Sequence, residues 1–353
     1  ANTACRIFCY GSHPMRSFIL PISCGQISVV SIWNWHYVTT LVAFAGSAEW
    51  LKTTRRPNPV VDMGVLATRL RYGSLAVLLI VGVFWLDHGP LPFLTAGLTL
   101  SLFALAAQYE FYGMLRSYRP ENEAPMVVLG LLAGGLYLLS RIMPAILDQF
   151  GDGGLVLDLP WYDAGSCLAV VVVLLLVVGV LGRRPLGAPV RIGGTLVGVL
   201  TIPFLLGYAI ELRYMADGWA WLVFLVAGAK AGDSMAFFVG RYLGHRKLIP
   251  EVSPNKTWEG AIASIFGTVL ATWLVVETAF VSPPSLGMWL GAAVVVNIGA
   301  QFGDLSESLL KRGCEVKDSS TLIPVMGGAF DLVDSFICAA PMLRLYLARS
   351  QGV

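Results

Sequence analysis

Acids, bases and glycines crowd into one stretch of this chain, Ser306 to Ser335, while most of the remainder is apolar. The stretch holds Ser308, Lys311, Arg312, Lys317, Asp318, Gly327, Gly328, Asp331 and Asp334. Two upstream segments carry related chemistry. One is Asp233, with Lys230 one helical turn before it; the other is Ser253-Pro254-Asn255-Lys256-Thr257-Trp258-Glu259-Gly260. Carboxylate oxygens hold Mg²⁺, which binds through a few carboxylates and a substrate's own phosphates. Lysines and free backbone N–H groups offset phosphate charge, and paired glycines such as Gly327-Gly328 let the backbone approach it closely. A Ser-Pro step opens helices and a helix N-terminus attracts anions, so Ser253 and Lys256 are expected at a phosphate-binding helix start. Carboxylates, lysines and glycines together read as phosphoryl or nucleotidyl transfer, in which metal and lysine neutralise charge as one phosphoryl bond breaks and another forms.

Spacing shows which groups share a surface. Asn297, Gln301, Asp304, Ser308 and Lys311 recur every three or four residues. They share one face of a helix for about four turns. A polar stripe on a membrane helix faces a cavity or another polar surface, not lipid. Asp331, Asp334 and Ser335 stand at i, i+3 and i+4 and share a face of the next helix. Asp331 and Asp334 repel each other unless a cation or a lysine lies between them.

The elements that must position these groups are membrane spans. The chain has 353 residues, 56% hydrophobic and 13% charged, with a mean hydropathy of +0.71. A soluble domain carries about 25% charged residues. Apolar runs reach the roughly 20 residues that cross a bilayer as helix. The fold class is therefore an all-α polytopic membrane protein. Ten spans are expected, at roughly 27–46, 70–86, 91–113, 125–147, 165–182, 193–212, 218–240, 257–279, 286–310 and 328–347. Lysines and arginines gather in the odd loops: Lys52, Arg55, Arg56, Arg69 and Arg71; Arg116 and Arg119; Arg183, Arg184 and Arg191; Arg241, Arg246, Lys247 and Lys256; Lys311, Arg312 and Lys317. Asp148, Asp152, Asp158 and Asp163 make the fourth loop acidic. Positive loops stay inside. The odd loops and the charged stretch are thus expected in the cytoplasm, with both termini outside.

Residues 1–26 read as an extension without a clean signal peptide, and Met15-Arg16-Ser17 before Phe18-Ile19-Leu20 resembles a translation start. Met15 is one candidate initiator, testable by intact mass. Residues 27–212, about six spans, read as scaffold, with small residues such as Gly130 to Gly135 suited to close helix packing. Residues 213–353, about four spans, read as the site-bearing region. Six cysteines show no metal spacing; Cys167 and Cys338 are expected to pack in apolar spans.

Three ordered motifs resemble those of the phosphatidate cytidylyltransferases, also called CDP-diacylglycerol synthases. They are Ala231-Gly232-Asp233-Ser234-Met235-Ala236 through Gly240-Arg241, the Ser253-Pro254-x-Lys256-Thr257-x-Glu259-Gly260 segment, and the run from Ser308 through Lys317-Asp318, Pro324 and Gly327-Gly328 to Asp331 and Asp334. They cover roughly 220–345. The resemblance implies transfer of CMP from CTP to phosphatidic acid, giving CDP-diacylglycerol and pyrophosphate; the basic loops put this at the cytoplasmic face, and a bacterial inner membrane is expected, with an organelle membrane fitting the same pattern. It implies Mg²⁺, with room for a second cation, held by Asp233, Asp304, Asp331 and Asp334. It adds Lys317 to the reacting centre, and places substrate phosphates on Ser253, Lys256, Lys311, Arg312, Asp318, Gly327 and Gly328. No nucleic-acid partner is expected, and a homodimer is left open. Two positions depart from the family pattern: Met326 stands where His is usual, and Leu332 where Arg is usual. These departures keep open a catalytically altered or inactive relative.

The residues alone leave other readings. Asp233 with Lys230 also reads as an ion pair within one helix. Lys311, Arg312 and Lys317 also read as topology anchors. Asp233, Asp304 and the Asn297–Gln301 stripe also read as the ion path of a cation-coupled transporter, although such sites sit near the midplane between repeated halves.

Overall fold

Inside a bilayer the backbone has no water to bond, so an apolar run satisfies its own N–H and C=O groups as helix. The computed structural model describes residues 82–83, 86–87, 94–118, 126–150, 164–320 and 327–351. In chain order these form α1 (Leu94–Tyr118), α2 (Val127–Phe150), α3 (Ala164–Leu181), α4 (Ala188–Val199), a π-turn (Leu200–Phe204), α5 (Leu205–Arg213), α6 (Gly218–Tyr242), β1 (Lys247–Ile249), β2 (Ser253–Thr257), α7 (Trp258–Ala279), α8 (Leu286–Gly313) and α9 (Ala329–Gln351). Pro203 lies inside the π-turn. Lacking an N–H and pressing on the preceding turn, it favours the wider winding there.

Five helical segments among the described residues are long and apolar enough to cross a membrane: Val127–Pro144, Ala188–Arg213, Gly218–Tyr242, Trp258–Ala279 and Leu286–Gly313. α1 and α9 have the length but are not among them. Gln108 and Glu110 interrupt the first, and Asp331, Asp334 and Arg344 the second. Helix bounds follow the expected spans within a few residues from 91 onward. The expected span 27–46 and nearly all of 70–86 lie outside the described residues, as do Met15, the N-terminal cysteines and Met326.

The Ser253-Pro254 expectation is corrected. Residues Ser253–Thr257 are a strand, paired antiparallel with β1. The helix opens four residues later, where the Thr257 hydroxyl accepts the Gly260 N–H at 3.2 Å. Thr257 has an extended backbone and a side chain able to cap, which Pro254 cannot supply.

Small residues bring the site helices together without a hydrophobic driving force. A Cβ on Gly228 of α6 would stand 2.9 Å from the Thr272 methyl of α7. One on Gly299 of α8 would stand 2.6 Å from the Ala339 Cα of α9, and one on Gly303 would strike the Asp334 carbonyl. α9 takes part in two cores. Its Ala340, Leu343 and Leu347 pack with Trp221, Phe224 and Val296 of α6 and α8. Its Phe330, Val333 and Ile337 pack with Phe111 of α1, Leu138 of α2 and Ile210 of α5. The helix bearing Asp331 and Asp334 is thereby wedged between the N-terminal helices and the C-terminal ones.

Candidate active site

Three carboxylates on three helices converge on one hydroxyl. Ser335 Oγ of α9 lies 3.0 Å from Asp233 Oδ2 of α6, 2.8 Å from Asp304 Oδ1 of α8 and 3.0 Å from its neighbour Asp334 Oδ1. Ser335 is fully buried. A hydroxyl has a single proton to give, so it cannot satisfy all three acids. Lys230 supplies counter-charge, its Nζ 3.7 Å from Asp233 and 3.8 Å from Asp334. It also lies 4.9 Å from the centre of the Phe336 ring. Lys256 reaches in from β2 and meets Asp304 Oδ2 at 3.1 Å. With all five groups ionised, three negative charges face two positive ones.

A second cluster sits beside the first. Lys311 of α8 bridges Glu307, one turn earlier, and Asp331 Oδ1 of α9 at 2.9 Å. Asp331 Oδ2 accepts the Gly328 N–H at 2.7 Å and the Ser319 hydroxyl at 3.0 Å. Gly327 has φ +90°, and a Cβ there would collide with the Asp331 carboxylate. The glycine pair thus folds the backbone tightly onto Asp331, with the Gly328 N–H committed to that carboxylate.

The structure therefore divides the expected site residues. Asp233, Asp304, Asp334 and Lys256 come together. Asp331, Lys311, Gly327 and Gly328 form the neighbouring cluster, where Asp331 has a lysine, a hydroxyl and an amide around it. Among the described residues, no side-chain contact ties Ser253, Arg312, Lys317 or Asp318 to either cluster. Arg312 reaches the Val316 carbonyl at 3.4 Å, and Lys317 and Asp318 are exposed. Leu332 is half-buried on α9.

The polar stripe of α8 also divides. Asn297 Nδ2 donates to Ser264 at 3.0 Å and Thr268 at 2.9 Å, both on α7. Gln301 Nε2 donates to Ser264 at 2.9 Å and Asn297 at 2.7 Å. These amides fasten α8 to α7, which removes them from the ion path considered above. Only lower on the stripe, from Asp304 on, does the face turn to the acid clusters.

Sequence reasoning missed Glu307 and Glu110. Glu307 lies four residues before Lys311, a spacing that favours ion pairing. Glu110, of α1, accepts the Phe330 N–H at 2.9 Å and the Ser320 hydroxyl at 2.7 Å. A lone acid in an apolar span is itself a signal, and Glu110 was the one acid between 91 and 113.

By donor type, the Asp233–Asp304–Asp334 set fits a hard cation such as Mg²⁺, which prefers carboxylate oxygens and retains water. Among the described residues, no three His, Cys, Asp or Glu side chains already stand in a metal-holding arrangement; in this structure Ser335 and Lys230 fill the centre.

Fold and site together define a helical membrane protein with a carboxylate–lysine cluster built where α6, α8 and α9 meet. Residues 15–349 match the family described as the Cytidylyltransferase family, and the chain belongs to it. It is similar to the phosphatidate cytidylyltransferase of Bacillus subtilis, 30% identical over 290 residues, which is 82% of this chain and 99% of that one. It is 42% identical over 129 residues to that of Brucella abortus, covering 36% of this chain and 47% of the relative. It is also 42% identical over 139 residues to phosphatidate cytidylyltransferase 5, chloroplastic, of Arabidopsis thaliana, covering 38% and 34%. The chain thus spans about half the length of the Brucella relatives it matches. Membrane-length helices and these relatives make it an integral membrane protein.

Proposed function

We propose that this protein transfers the cytidylyl group of CTP to phosphatidic acid. The observation that carries this reading is the convergence of Asp233, Asp304 and Asp334 on Ser335, flanked by Lys230 and Lys256. A phosphate oxygen of the lipid attacks the α-phosphorus of CTP, the bond from that phosphorus to the β-phosphate oxygen breaks, and pyrophosphate leaves. CDP-diacylglycerol remains in the membrane. No general base is required, because a phosphate monoester is already ionised near neutral pH.

Lys256, on the short β-hairpin, turns from Asp304 toward the triphosphate when the nucleotide enters. Exposed Lys317 and Arg312 meet the charged phosphates first. Lys230 stays between Asp233 and Asp334 and offsets part of their charge. Asp233, Asp304 and Asp334 would hold Mg²⁺, which when bound neutralises charge developing on the phosphate oxygens. The reading places ten spans across a bacterial inner membrane, with the site opening to the cytoplasm, in keeping with the basic odd loops. The family match and the names of the relatives support it.

The test is pyrophosphate release by purified protein in phosphatidic acid–detergent micelles with CTP and Mg²⁺, beside an Asp334→Asn control. Release that needs both CTP and lipid and vanishes in the control is expected. An intact protein giving no release above control would overturn the reading, and other lipid phosphates would be screened next.

A further inference from the structure

The N-terminal helices contribute one carboxylate to the site end of the molecule. Glu110 of α1 is 8% exposed. Its Oε1 accepts the Ser320 hydroxyl at 2.7 Å; its Oε2 lies 3.1 Å from the Ser319 hydroxyl and 2.9 Å from the Phe330 N–H. The last of these is a free donor in the first turn of α9, where a negative charge is favoured. Ser319 Oγ lies between Glu110 Oε2 and Asp331 Oδ2, so one hydroxyl links the two acids. Gly328 completes the fit, since a Cβ there would run into both Glu110 and Ser319. An acid this buried in an apolar helix is costly unless well satisfied. Among the described residues its partners are two hydroxyls and an amide, none of which requires a charge for stability alone.

What those partners share is position. Ser319 and Ser320 directly follow the exposed Lys317 and Asp318, and Phe330 directly precedes Asp331. One carboxylate thus grips both ends of the segment from 319 to 330. We propose that Glu110 is a positioning residue: it ties the Lys317–Asp318 loop and the start of α9 to α1, and so sets where Lys317 stands when CTP binds. This rests on the cytidylyltransferase reading above.

The experiment compares Glu110→Ala and Glu110→Gln in the full chain, reading kcat, KM for CTP, apparent Tm and the rate of trypsin cleavage after Lys317. For Glu110→Ala, KM for CTP is expected to rise about tenfold with kcat changed less than about threefold, the size of one or two lost hydrogen bonds. Cleavage after Lys317 is expected to quicken with apparent Tm little changed. Glu110→Gln keeps an acceptor for the Phe330 N–H and is expected to recover most of the KM. It also serves if the alanine variant does not fold. Unchanged KM and unchanged cleavage, or a loss confined to Tm, would overturn the proposal. If the wild type itself releases no pyrophosphate, the reaction assignment fails, and the cleavage rates alone decide whether Glu110 holds the loop.

Discussion

Ser335 has one proton for three carboxylates within 3.0 Å, and Asp331 has three donors beside a Ser319 hydroxyl that it shares with Glu110. The contrast separates two kinds of acid. Asp334 shares its hydroxyl with two other acids, whereas Asp331 has two backbone amides and a lysine that it shares with Glu307. Asp334→Asn is expected to abolish pyrophosphate release while apparent Tm holds. Asp331→Asn is expected to cost about 1–3 kcal/mol of stability, because it weakens bonds to a lysine and to backbone that remain buried. Equal Tm for both variants would show that the two clusters are not distinct in role. Ser335→Ala removes the shared proton and leaves three acids facing one another. Turnover is expected to fall at least about tenfold through misplacement of those carboxylates, in protein that still elutes as a folded species. Unaltered turnover would mean that the hydroxyl only fills space.

The helices place these residues through close approach. Gly303 lies against the Asp334 carbonyl, so Gly303→Val forces α8 and α9 apart. A loss of at least about 1–3 kcal/mol from overpacking is expected, together with lost turnover, readable as a Tm drop in detergent. At the far end of α6, Asp87 pairs with Arg213 at 2.7 Å and accepts from Thr95, the Ala96 N–H and Trp219. Burial pushes its carboxyl up, but the Ala96 amide, the Thr95 hydroxyl and Arg213 outweigh burial and hold it below its usual 3.8. A lowered value in the folded state stabilises above the unfolded value and loses that contribution as pH falls through the folded one. Asp87→Asn should therefore cost about 1–3 kcal/mol near neutral pH, since it removes the charge that pairs with buried Arg213 at 2.7 Å. The gap from wild type should narrow as pH falls below 3.8; a gap independent of pH would exclude this pairing. Much of this level was readable in the chain. The three-and-four spacing put Asp304 and Lys311 on one face of α8, and apolar runs fixed where α6 to α8 begin and end. β2 was not readable, because a strand depends on a partner and its own residues, Ser-Pro, look like a helix start. Glu110 stayed hidden because its partners lie more than two hundred residues away and share no local pattern with it.

At the scale of the whole molecule, α9 belongs to both cores, so the division into scaffold and site is one of sequence more than of packing. The orientation is checked by single cysteines on a cysteine-free background. Lys317→Cys is expected to react with an impermeant maleimide only after cells are opened, and Ser282→Cys in intact cells. The reverse pattern would invert the topology. The residues also fix where along the helices the acid cluster lies. Asp233 stands nine residues before the end of α6, and Asp304 nine before the end of α8. At the helical rise, that is about 14 Å along each axis. On the proposed reaction, nucleotide comes to that plane from the water, whereas a diacyl lipid comes to it from within the bilayer. The greasy substrate thus has only a sideways approach to make, its tails never leaving oil. Chain length should then register weakly in the rate, and the step that tells a good lipid from a poor one should be the fit of its head.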